Sequence, residues 1–374
     1  MKVKSKFNIL LTVTFVLYIS IFLVLFVVIK DKNFSELENR KLSAFPKFTL
    51  EKLINKEFGN DFEKYLADQF PLRDEFISIK SSSEYVLQKK ENNGVYIGNN
   101  GMFIEKFDAM DTELIDKITS YINNFSQKYN TYIMIAPTSY TIYNENLPMY
   151  VDVNKESDAM NYFISKLDSK IVNIPLVDIL KEHKDEYIYY NTDHHWTTLG
   201  AYYGYVKFCE YYNIENVEYS EFDRKVVSDN FYGTLFSKGN FTYAKPDSIA
   251  LYYPKNKVNY IVDYVFSEKQ TNSLYEFDYL DVKDKYGVFL DNNHPLIKIS
   301  TNVKNGNKIA LIKDSYSHSL IPFLVNNFEE IHVIDLRLFK GNVDDYLMEN
   351  ELEDILFMYN IRNIISDRNI MRLK

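Results

Sequence analysis

Between residues 111 and 190 the apolar positions alternate between helical spacing and short continuous runs. TYIMIAP at 131–137 and KIVNIPL at 170–176 are short and mainly apolar, which predicts buried strands. The first run follows a predicted helix whose apolar residues share one face: Ile115, Ile118, Ile122 and Phe125. Short buried strands separated by helices are typical of a parallel sheet in an α/β layered domain.

The segment 213–300 interrupts this alternation. It is rich in Tyr, Asp and Asn and contains several strand-like pieces, so we interpret it as a β-rich insertion on the α/β core. The alternation resumes with KIALIKDSYSHSLIPFL at 308–324, a predicted strand at 331–337, a helix near 343–356 and a last strand near IRNIIS. Earlier in the chain, NNGVYIGNNGMFIEKF at 92–107 places Asn-Gly pairs between apolar residues, which predicts a hairpin.

The N-terminal run at 9–29 is apolar throughout and has no charged residue. As a helix it would be about 30 Å long, the thickness of a bilayer core. A cleaved secretory signal would have a shorter apolar region and a small-residue cleavage site, and a core helix would have a polar face. Lys2, Lys4 and Lys6 precede the run and place that end in the cytoplasm. We therefore predict a single-pass signal anchor, with the chain from Lys30 onward outside the cell.

The pattern predicts three parts. Residues 1–30 form a cytoplasmic stub and the transmembrane anchor. Residues 31–90 form a polar stalk followed by two or three short amphipathic helices, since apolar residues recur there at helical spacing. Residues 91–374 form the α/β domain, which carries the insertion.

Composition narrows the classes of function. A net charge of −9 in 374 residues argues against a nucleic-acid partner, which would require a basic face. The single cysteine, Cys209, excludes an intramolecular disulfide and a cysteine-based zinc site. The 32 Tyr and 27 Phe would suit stacking on sugar rings, although Asn, Lys and Ile are abundant too, and coding bias is the favoured explanation.

Ser315 stands where a predicted strand, Ile309 to Ile312, turns into a helix. That arrangement exposes a serine hydroxyl at the carboxyl end of a parallel sheet, where ligands bind in such folds. The free N–H groups at the start of the helix can hold the oxyanion of a tetrahedral acyl intermediate. The alternative is that Asp314, Ser315 and Ser317 only cap the helix.

The sequence NTDHHWTT at 191–198 contains Asp193, His194 and His195 and the chain's one tryptophan. EYIYY before it predicts a strand, and a threonine after it can cap a helix, so this cluster also lies at a strand-to-helix turn. A carboxylate two residues from a histidine can accept from its Nδ1–H and leave Nε2 to face a nucleophile. Two alternatives remain: a metal site, which lacks an HxxxH or HxH spacing to complete it, and a histidine pair that is simply packed.

These residues belong to a set of motifs that resembles the bacterial DHHW proteins. That family is similar to the SGNH-hydrolase-like domains of alginate-type polysaccharide O-acetyltransferases. The matching motifs run in order from about Glu38 onward: ENRKLSAFP, DQFPLRDEF, GVYIGNNGMF, APTSYTIYNENLP, TDHHWTTLGAYYGY, FYGTLFSKGN and IKDSYSHSLIPFL.

The resemblance implies a permuted SGNH-hydrolase-like fold, a flavodoxin-like αβα sandwich with a parallel sheet. It implies Asp193 as the triad acid, His195 as the base and Ser315 as the nucleophile, with no catalytic role for His194. The family's Gly-Asp-Ser is Lys-Asp-Ser here, and Lys313 in the place of glycine brings the oxyanion hole into question.

Arg337, in IDLR at the next predicted strand end, is a candidate for substrate contact, with a surface salt bridge as the alternative. Trp196 and Tyr316, which adjoin the triad residues in sequence, are further candidates for substrate binding. We expect no metal and no cofactor.

The resemblance implies an enzyme that acetylates hydroxyls of an extracellular polysaccharide, with acetyl groups passed outward by a membrane-embedded partner protein. An esterase that removes acetyl groups would use the same triad, with water as the acceptor. A third reading is an inactive, membrane-tethered scaffold that binds glycan within an export complex.

Overall fold

The computed structural model describes residues 2–373, with side chains described from residue 6 onward. The chain divides into two compact units. The first comprises residues up to Lys89 together with Asn240–Tyr243, and the second comprises Lys90–Gly239 and Ala244–Lys374.

The first unit begins with helix α1, Lys2–Val28. Among the described residues, one helix, Lys6–Val28, is long and apolar enough to cross a membrane, and none of that stretch is buried inside the protein. The other elements of this unit are β1 Phe34–Ser35, β2 Arg40–Lys41, α2 Leu50–Ile54, α3 Glu57–Asp68 and α4 Arg73–Val86.

The second unit is a mixed α/β fold. Its strands are β3 Glu91–Asn92, β4 Val95–Ile97, β5 Phe103–Glu105, β6 Asn130–Ala136, β7 Val172–Ile174, β8 Phe222–Phe231, β9 Asp247–Pro254, β10 Tyr260–Tyr264, β11 Lys269–Thr271, β12 Leu296–Thr301, β13 Lys308–Lys313, β14 Glu330–Ile334 and β15 Asp354–Asn360. Its α-helices are α5 Thr112–Phe125, α6 Ser139–Ile142, α7 Lys155–Ser165, α8 Val177–Glu182, α9 Thr198–Tyr212, α10 Thr234–Gly239, α11 Ile321–Leu324, α12 Val343–Glu349 and α13 Ile361–Ile364. Its 3-10 helices are Asn144–Asn146, Tyr219–Glu221, Phe277–Asp281, Lys285–Val288, Ser315–Ser319 and Arg368–Arg372.

Within residues 2–373 the main sheet has eight strands in the order β11-β10-β12-β14-β13-β15-β6-β7. The five strands from β14 to β7 pair in parallel, as the buried apolar runs predict. Strands β10 and β11 lie within 213–300 and β12 ends one residue beyond it, and all three extend the same sheet in antiparallel fashion. Strands β8 and β9 of that segment form a separate two-stranded antiparallel sheet, and β3, β4 and β5 form a small antiparallel sheet.

Local sequence explains the central elements. Helix α5 begins after Asp111, whose side chain accepts a hydrogen bond from the Leu114 N–H, and its predicted apolar face is fully buried. Strands β6, β13 and β15 are apolar on both faces because the sheet is covered on both sides. Their side chains form one core with the helices, centred on residues such as Ile133, Leu311 and Phe357.

The carboxyl edge of the parallel strands gathers polar residues. Thr138 follows β6, Asp314 and Ser315 follow β13, and Asp335 follows β14. Asn360 is the last residue of β15. Because the carboxyl ends of parallel strands meet at one edge of a sheet, these side chains lie close to one another there.

Two predicted strands are wrong. EYIYY at 186–190 is irregular, with only an isolated bridge between Tyr189 and Trp196. IRNIIS belongs to helix α13, because β15 ends at Asn360, whose side chain caps that helix by accepting from the Asn363 N–H.

Candidate active site

The DHHW segment is a closed turn between α8 and α9. The Thr197 N–H donates to the Ile188 carbonyl at 2.9 Å, and the Tyr190 N–H donates to the His195 carbonyl at 3.3 Å. Thr197 then caps α9, with its hydroxyl accepting from the Gly200 N–H. The backbone therefore folds back on itself and holds residues 191–195 at the tip of the turn.

Asp247, the first residue of β9, fixes this turn from outside. Its carboxylate accepts hydrogen bonds from the N–H groups of Asn191 and Thr192, at 2.9 and 2.7 Å. The Thr192 and Tyr187 hydroxyls donate to it as well, each at 2.6 Å. One buried carboxylate thus satisfies two backbone donors that the turn leaves free.

Asp193 and His195 are joined by a short hydrogen bond. Nδ1 of His195 lies 2.6 Å from Oδ1 of Asp193, which also accepts from the His195 backbone N–H at 3.0 Å. The other oxygen, Oδ2, accepts from the N–H and hydroxyl of Thr234, at 2.7 and 3.0 Å. Burial alone would raise the pKa of Asp193, but the charges of His194 and His195 and these hydrogen bonds outweigh it and hold that pKa well below its usual range.

Gly233 allows Asp193 to adopt this position. A Cβ at residue 233 would lie 2.2 Å from Cβ of Asp193 and 2.4 Å from its Oδ2. No larger residue fits there without displacing the carboxylate. The segment FYGTLF, which contains Gly233 and Thr234, thus packs directly against the Asp193 carboxylate.

His195 connects the acid to Ser315. Nε2 of His195 lies 2.8 Å from Oγ of Ser315, which is the first residue of the 3-10 helix after β13. An ionised carboxylate can only accept, so Asp193 keeps the proton of His195 on Nδ1. Nε2 is then free to accept the serine hydroxyl proton, which is the arrangement of a serine nucleophile and its general base.

The ring of His195 is enclosed by other rings. Tyr286 stacks on it with centroids 3.8 Å apart and planes 8° from parallel, and the His194 ring centroid is also 3.8 Å away. Burial and, secondarily, the charge of His194 lower the pKa of His195 to about 4. His195 is therefore neutral at physiological pH and ready to accept a proton.

Asp314 fixes the turn that carries Ser315. Its Oδ1 accepts from the Tyr316 N–H at 2.9 Å. Its Oδ2 accepts from the N–H and side-chain amide of Asn360, at 2.9 and 2.8 Å, and from the amide of Asn363 at 2.8 Å. The nucleophile turn is thus attached to the end of the neighbouring strand β15.

Lys313 is fully buried, and its ammonium has its own set of partners. Nζ lies 2.6 Å from Nε2 of His318, 3.3 Å from Oδ1 of Asn293 and 3.4 Å from Oδ2 of Asp335. Burial lowers the pKa of Lys313 to about 8, although the carboxylate of Asp335 acts in the opposite direction. Lys313 is therefore a buried, paired cation.

The other predicted substrate contacts have different positions. Trp196 and Tyr316 are fully buried: the indole N–H donates to the Tyr316 carbonyl at 2.9 Å, and the Tyr316 hydroxyl donates to the His194 carbonyl. Both rings lie in the protein interior, where they stabilise the site and offer no surface to a substrate. Arg337 makes a bidentate ion pair with Asp335, at 2.8 and 2.5 Å, and its side chain is 40% exposed.

A metal site would draw on Asp193, His194 and His195, which offer ligand atoms within 4.8 Å of one another. Their hydrogen bonds use those atoms differently. Both ring nitrogens of His195 are taken by Asp193 and Ser315, and Nδ1 of His194 lies 2.6 Å from the Thr234 hydroxyl. The arrangement favours proton transfer over metal coordination.

A cavity of about 380 Å³ lies beside the turn and is lined in part by His194, Thr138 and Asn360. On its wall, Glu105 forms ion pairs with Lys238 at 2.8 Å and with Arg362 at 3.2 Å. Nine of the ten residues that line this cavity are polar or charged, which suits a polar ligand.

Sequence reasoning missed several residues of this site: Thr234, Asp247, Tyr286, Asn360 and Asn363. The glycine-threonine pair in FYGTLF and the asparagines in YNIRN were visible, but nothing local to those segments placed them against Asp193 and Asp314.

Comparison with known proteins gives one family and several structural relatives. The family described as DHHW protein matches residues 92–334, more than half of the chain. No curated protein matches the chain.

A crystal structure of a DHHW family protein from Eubacterium siraeum is similar at 26% identity over 75% of this chain and 95% of that one, with a TM-score of 0.66. Bacillus cereus PatB1 with a sulfonyl adduct is similar at 19% identity over 75% and 98%, with a TM-score of 0.65. The O-acetyltransferase domain of Pseudomonas putida AlgJ is similar at 14% identity over 73% and 93%, with a TM-score of 0.46. At 19% identity, the likeness to PatB1 concerns the fold alone.

Proposed function

The chain belongs to the DHHW family, and from that premise we propose that it is a membrane-anchored O-acetyltransferase acting on hydroxyls of an extracellular polysaccharide through Asp193, His195 and Ser315. The observation that carries the proposal is the continuous hydrogen-bonded series from Asp193 through His195 to Ser315, at 2.6 and 2.8 Å. An inactive scaffold would have no need to keep side chains from two segments 120 residues apart in this register.

The first half-reaction transfers the acetyl group to the enzyme. His195 Nε2 accepts the hydroxyl proton of Ser315 as Oγ attacks the acetyl carbonyl of the donor, and Asp193 stabilises the imidazolium that forms. We assign the Ser315 backbone N–H as a donor to the carbonyl oxygen that gains charge. His195 then gives the proton to the leaving group, and Ser315 carries the acetyl ester.

The second half-reaction regenerates Ser315. His195 accepts a proton from a sugar hydroxyl, whose oxygen attacks the acetyl carbonyl, and the proton returns to Ser315 when the ester bond to the enzyme breaks. We place the acceptor sugar in the cavity beside His194, Thr138 and Asn360, since its hydroxyl and amide groups can hydrogen-bond a sugar.

The acetyl donor would come through the membrane. Helix α1 is long enough to anchor the chain, and the three lysines at its start favour a cytoplasmic N-terminus. An enzyme outside the cell has no direct source of activated acetyl groups there, so we propose a membrane-embedded partner protein that delivers them.

The test uses the full chain in detergent with p-nitrophenyl acetate as donor and a neutral oligosaccharide as acceptor. We expect release of p-nitrophenol, an acetylated Ser315 peptide by mass spectrometry and acetylated oligosaccharide. Ser315→Ala should abolish all three, whereas Ser317→Ala, which alters a neighbouring serine whose hydroxyl donates to the Asp314 carbonyl, should retain them. Equal release by the wild type and Ser315→Ala would exclude Ser315 as the nucleophile. Free acetate without acetylated oligosaccharide would indicate an esterase.

A further inference from the structure

The first unit exposes large apolar side chains on its short helices. Those in residues 48–79 that are between 37% and 71% exposed are Phe48, Leu50, Leu53, Ile54, Leu66, Phe70, Leu72, Phe76 and Ile79. Water-soluble surfaces carry such side chains singly, whereas concentrations of this kind mark contact with a protein partner or a membrane.

Ring contacts connect these helices to α1. The Phe22 ring in α1 stacks on Phe70 with centroids 5.3 Å apart and lies 5.8 Å from Phe76. Phe26 meets Tyr65 of α3 edge-on at 5.8 Å. Helices α3 and α4 therefore pack beside the last turns of α1 and not beyond its end.

These contacts fix the level of Phe70 and Phe76 along the axis of α1. Phe22 precedes Val28, the last residue of α1, by six positions, which is about 9 Å along a helix axis. Ring centroids less than 6 Å from Phe22 must lie on the N-terminal side of the level where α1 ends. In a spanning helix the charged residues at 30–32 mark the edge of the hydrocarbon, so Phe70 and Phe76 lie at or inside that edge.

We propose that α2, α3 and α4 lie in the membrane interface around the exit of α1, with the exposed apolar side chains of residues 48–79 in contact with lipid acyl chains. This inference rests on the anchoring role proposed above for α1. The occupant of the apolar surface is the lipid of the same leaflet, because the ring contacts make that surface continuous with the membrane-spanning helix.

The charged groups of these helices agree with this placement. Arg40 pairs with Asp68 at 2.5 Å and Lys52 with Asp61 at 3.4 Å, so several charges are matched with one another. In α3, Lys64 is exposed and lies two positions after Phe62, roughly 200° around the helix. An apolar face opposite a charged face is the pattern of a helix that lies in the plane of a membrane interface.

The experiment uses nitroxide labels on the full chain in vesicles of phosphatidylcholine and phosphatidylglycerol. Cys209→Ala removes the buried native thiol, and single cysteines are placed at Ile54→Cys, Ile79→Cys and, as the matched control, Lys64→Cys. Oxygen concentrates in lipid, whereas nickel ethylenediaminediacetate stays in water. We expect labels at 54 and 79 to collide with oxygen several-fold more than with the nickel reagent, and the label at 64 to show the reverse.

Flotation of the vesicles after an alkaline carbonate wash reports separately on α1. If the protein floats with the vesicles but the labels at 54 and 79 are exposed to the nickel reagent, the inference about α2, α3 and α4 is wrong and the anchoring role of α1 stands. If the protein does not float, both the inference and the anchoring role are wrong. Labels that are shielded from the nickel reagent in native membranes, but not in pure lipid vesicles, would assign the surface to a protein partner. That outcome would also overturn the proposed contact with lipid. A labelled variant with a lowered unfolding midpoint is replaced by Leu53→Cys, whose site is 49% exposed.

Discussion

The ring of Tyr286 lies flat on the imidazole of His195, with centroids 3.8 Å apart and planes 8° from parallel. Its hydroxyl donates to the Ser315 carbonyl at 3.2 Å, so one side chain contacts both the proposed base and the backbone of the proposed nucleophile. Tyr286 belongs to the 3-10 helix Lys285–Val288, within the segment that the sequence marks as an insertion. That segment thus contributes directly to the environment of the histidine.

Replacing the Tyr286 ring should change the acid limb of the pH profile. In Tyr286→Leu water reaches His195, so its pKa rises from about 4 toward the ordinary 6.5. At pH 5 a rise of one to two units would lower kcat/KM for p-nitrophenyl acetate about two- to tenfold. Tyr286→Phe keeps the stacked ring and should keep the wild-type limb, while losing the bond to the Ser315 carbonyl. Identical limbs in the wild type and Tyr286→Leu would show that the stack does not govern the pKa.

The wild-type pH profile follows from the buried histidine. Activity should remain level from neutral pH down to about 5 and halve near the His195 pKa of about 4. Stability falls in the same direction: between 6.5 and about 4 the unfolded chain binds a proton that the folded chain does not. His194→Gln removes a positive neighbour and should move the limb to higher pH. If the activity of the wild type halved near pH 6.5, the ordinary pKa of histidine, the result would contradict the burial of His195.

Asp193→Asn should reduce kcat by roughly 10³–10⁴-fold and lower the unfolding free energy by about 1–3 kcal/mol, because the amide nitrogen leaves the His195 backbone N–H without an acceptor. An amide at this position can donate to Nδ1 of His195, which moves the imidazole proton to Nε2 and prevents it from accepting from Ser315. Steady-state kinetics with p-nitrophenyl acetate and the thermal unfolding midpoint check the two halves of this prediction. Retention of more than a tenth of the wild-type rate would remove Asp193 from the mechanism.

Two glycine substitutions should act with opposite sign. Gly233→Ala places a methyl group 2.2 Å from Cβ of Asp193, which should cost about 1–3 kcal/mol of unfolding free energy and most of the activity. Gly59→Ala, in helix α3 with no atom within 4 Å of its added methyl, should stabilise that helix by about 1 kcal/mol and leave activity unchanged. Denaturant titrations and rates measured on both variants check this, and equal effects would mean that Gly233 does not constrain Asp193.

Lys313 should make stability increase with pH above neutrality. Its folded pKa of about 8 is below the ordinary 10.5, so between these values the unfolded chain binds a proton that the folded chain lacks. The unfolding free energy of the wild type minus that of Lys313→Met should therefore increase as pH rises from about 8 to 9.5. The increase should be at most about 1.4 kcal/mol per pH unit. A constant difference across that range would mean that Lys313 keeps an ordinary pKa in the folded protein.

The proposed triad could be predicted because each member carries a local signature. Asp193 and His195 are two residues apart in a turn, and Ser315 directly follows an apolar strand. The parallel strands could be predicted as well, since burial on both faces requires continuous apolar runs.

What surrounds the triad could not be predicted, because it depends on distant pairings. Asp247 fixes the DHHW turn from β9, more than 50 residues away, by accepting hydrogen bonds from the N–H groups of Asn191 and Thr192. Asn360 ends β15, and its backbone N–H donates to Asp314, 46 residues earlier in the chain. No residue pattern within either segment reveals its partner.

The attachment of Asp314 to Asn360 and Asn363 sets an order of assembly. A chain that emerges from its N-terminus carries Asp193, His195 and Ser315 before Asn360, which follows Asp314 by 46 residues. Until strand β15 has paired, the turn that holds Ser315 lacks the donors that satisfy its buried carboxylate. If the chain crosses the membrane N-terminus first, as proposed above, the turn that holds Ser315 therefore gains these hydrogen bonds only after the last strand of the sheet has been delivered.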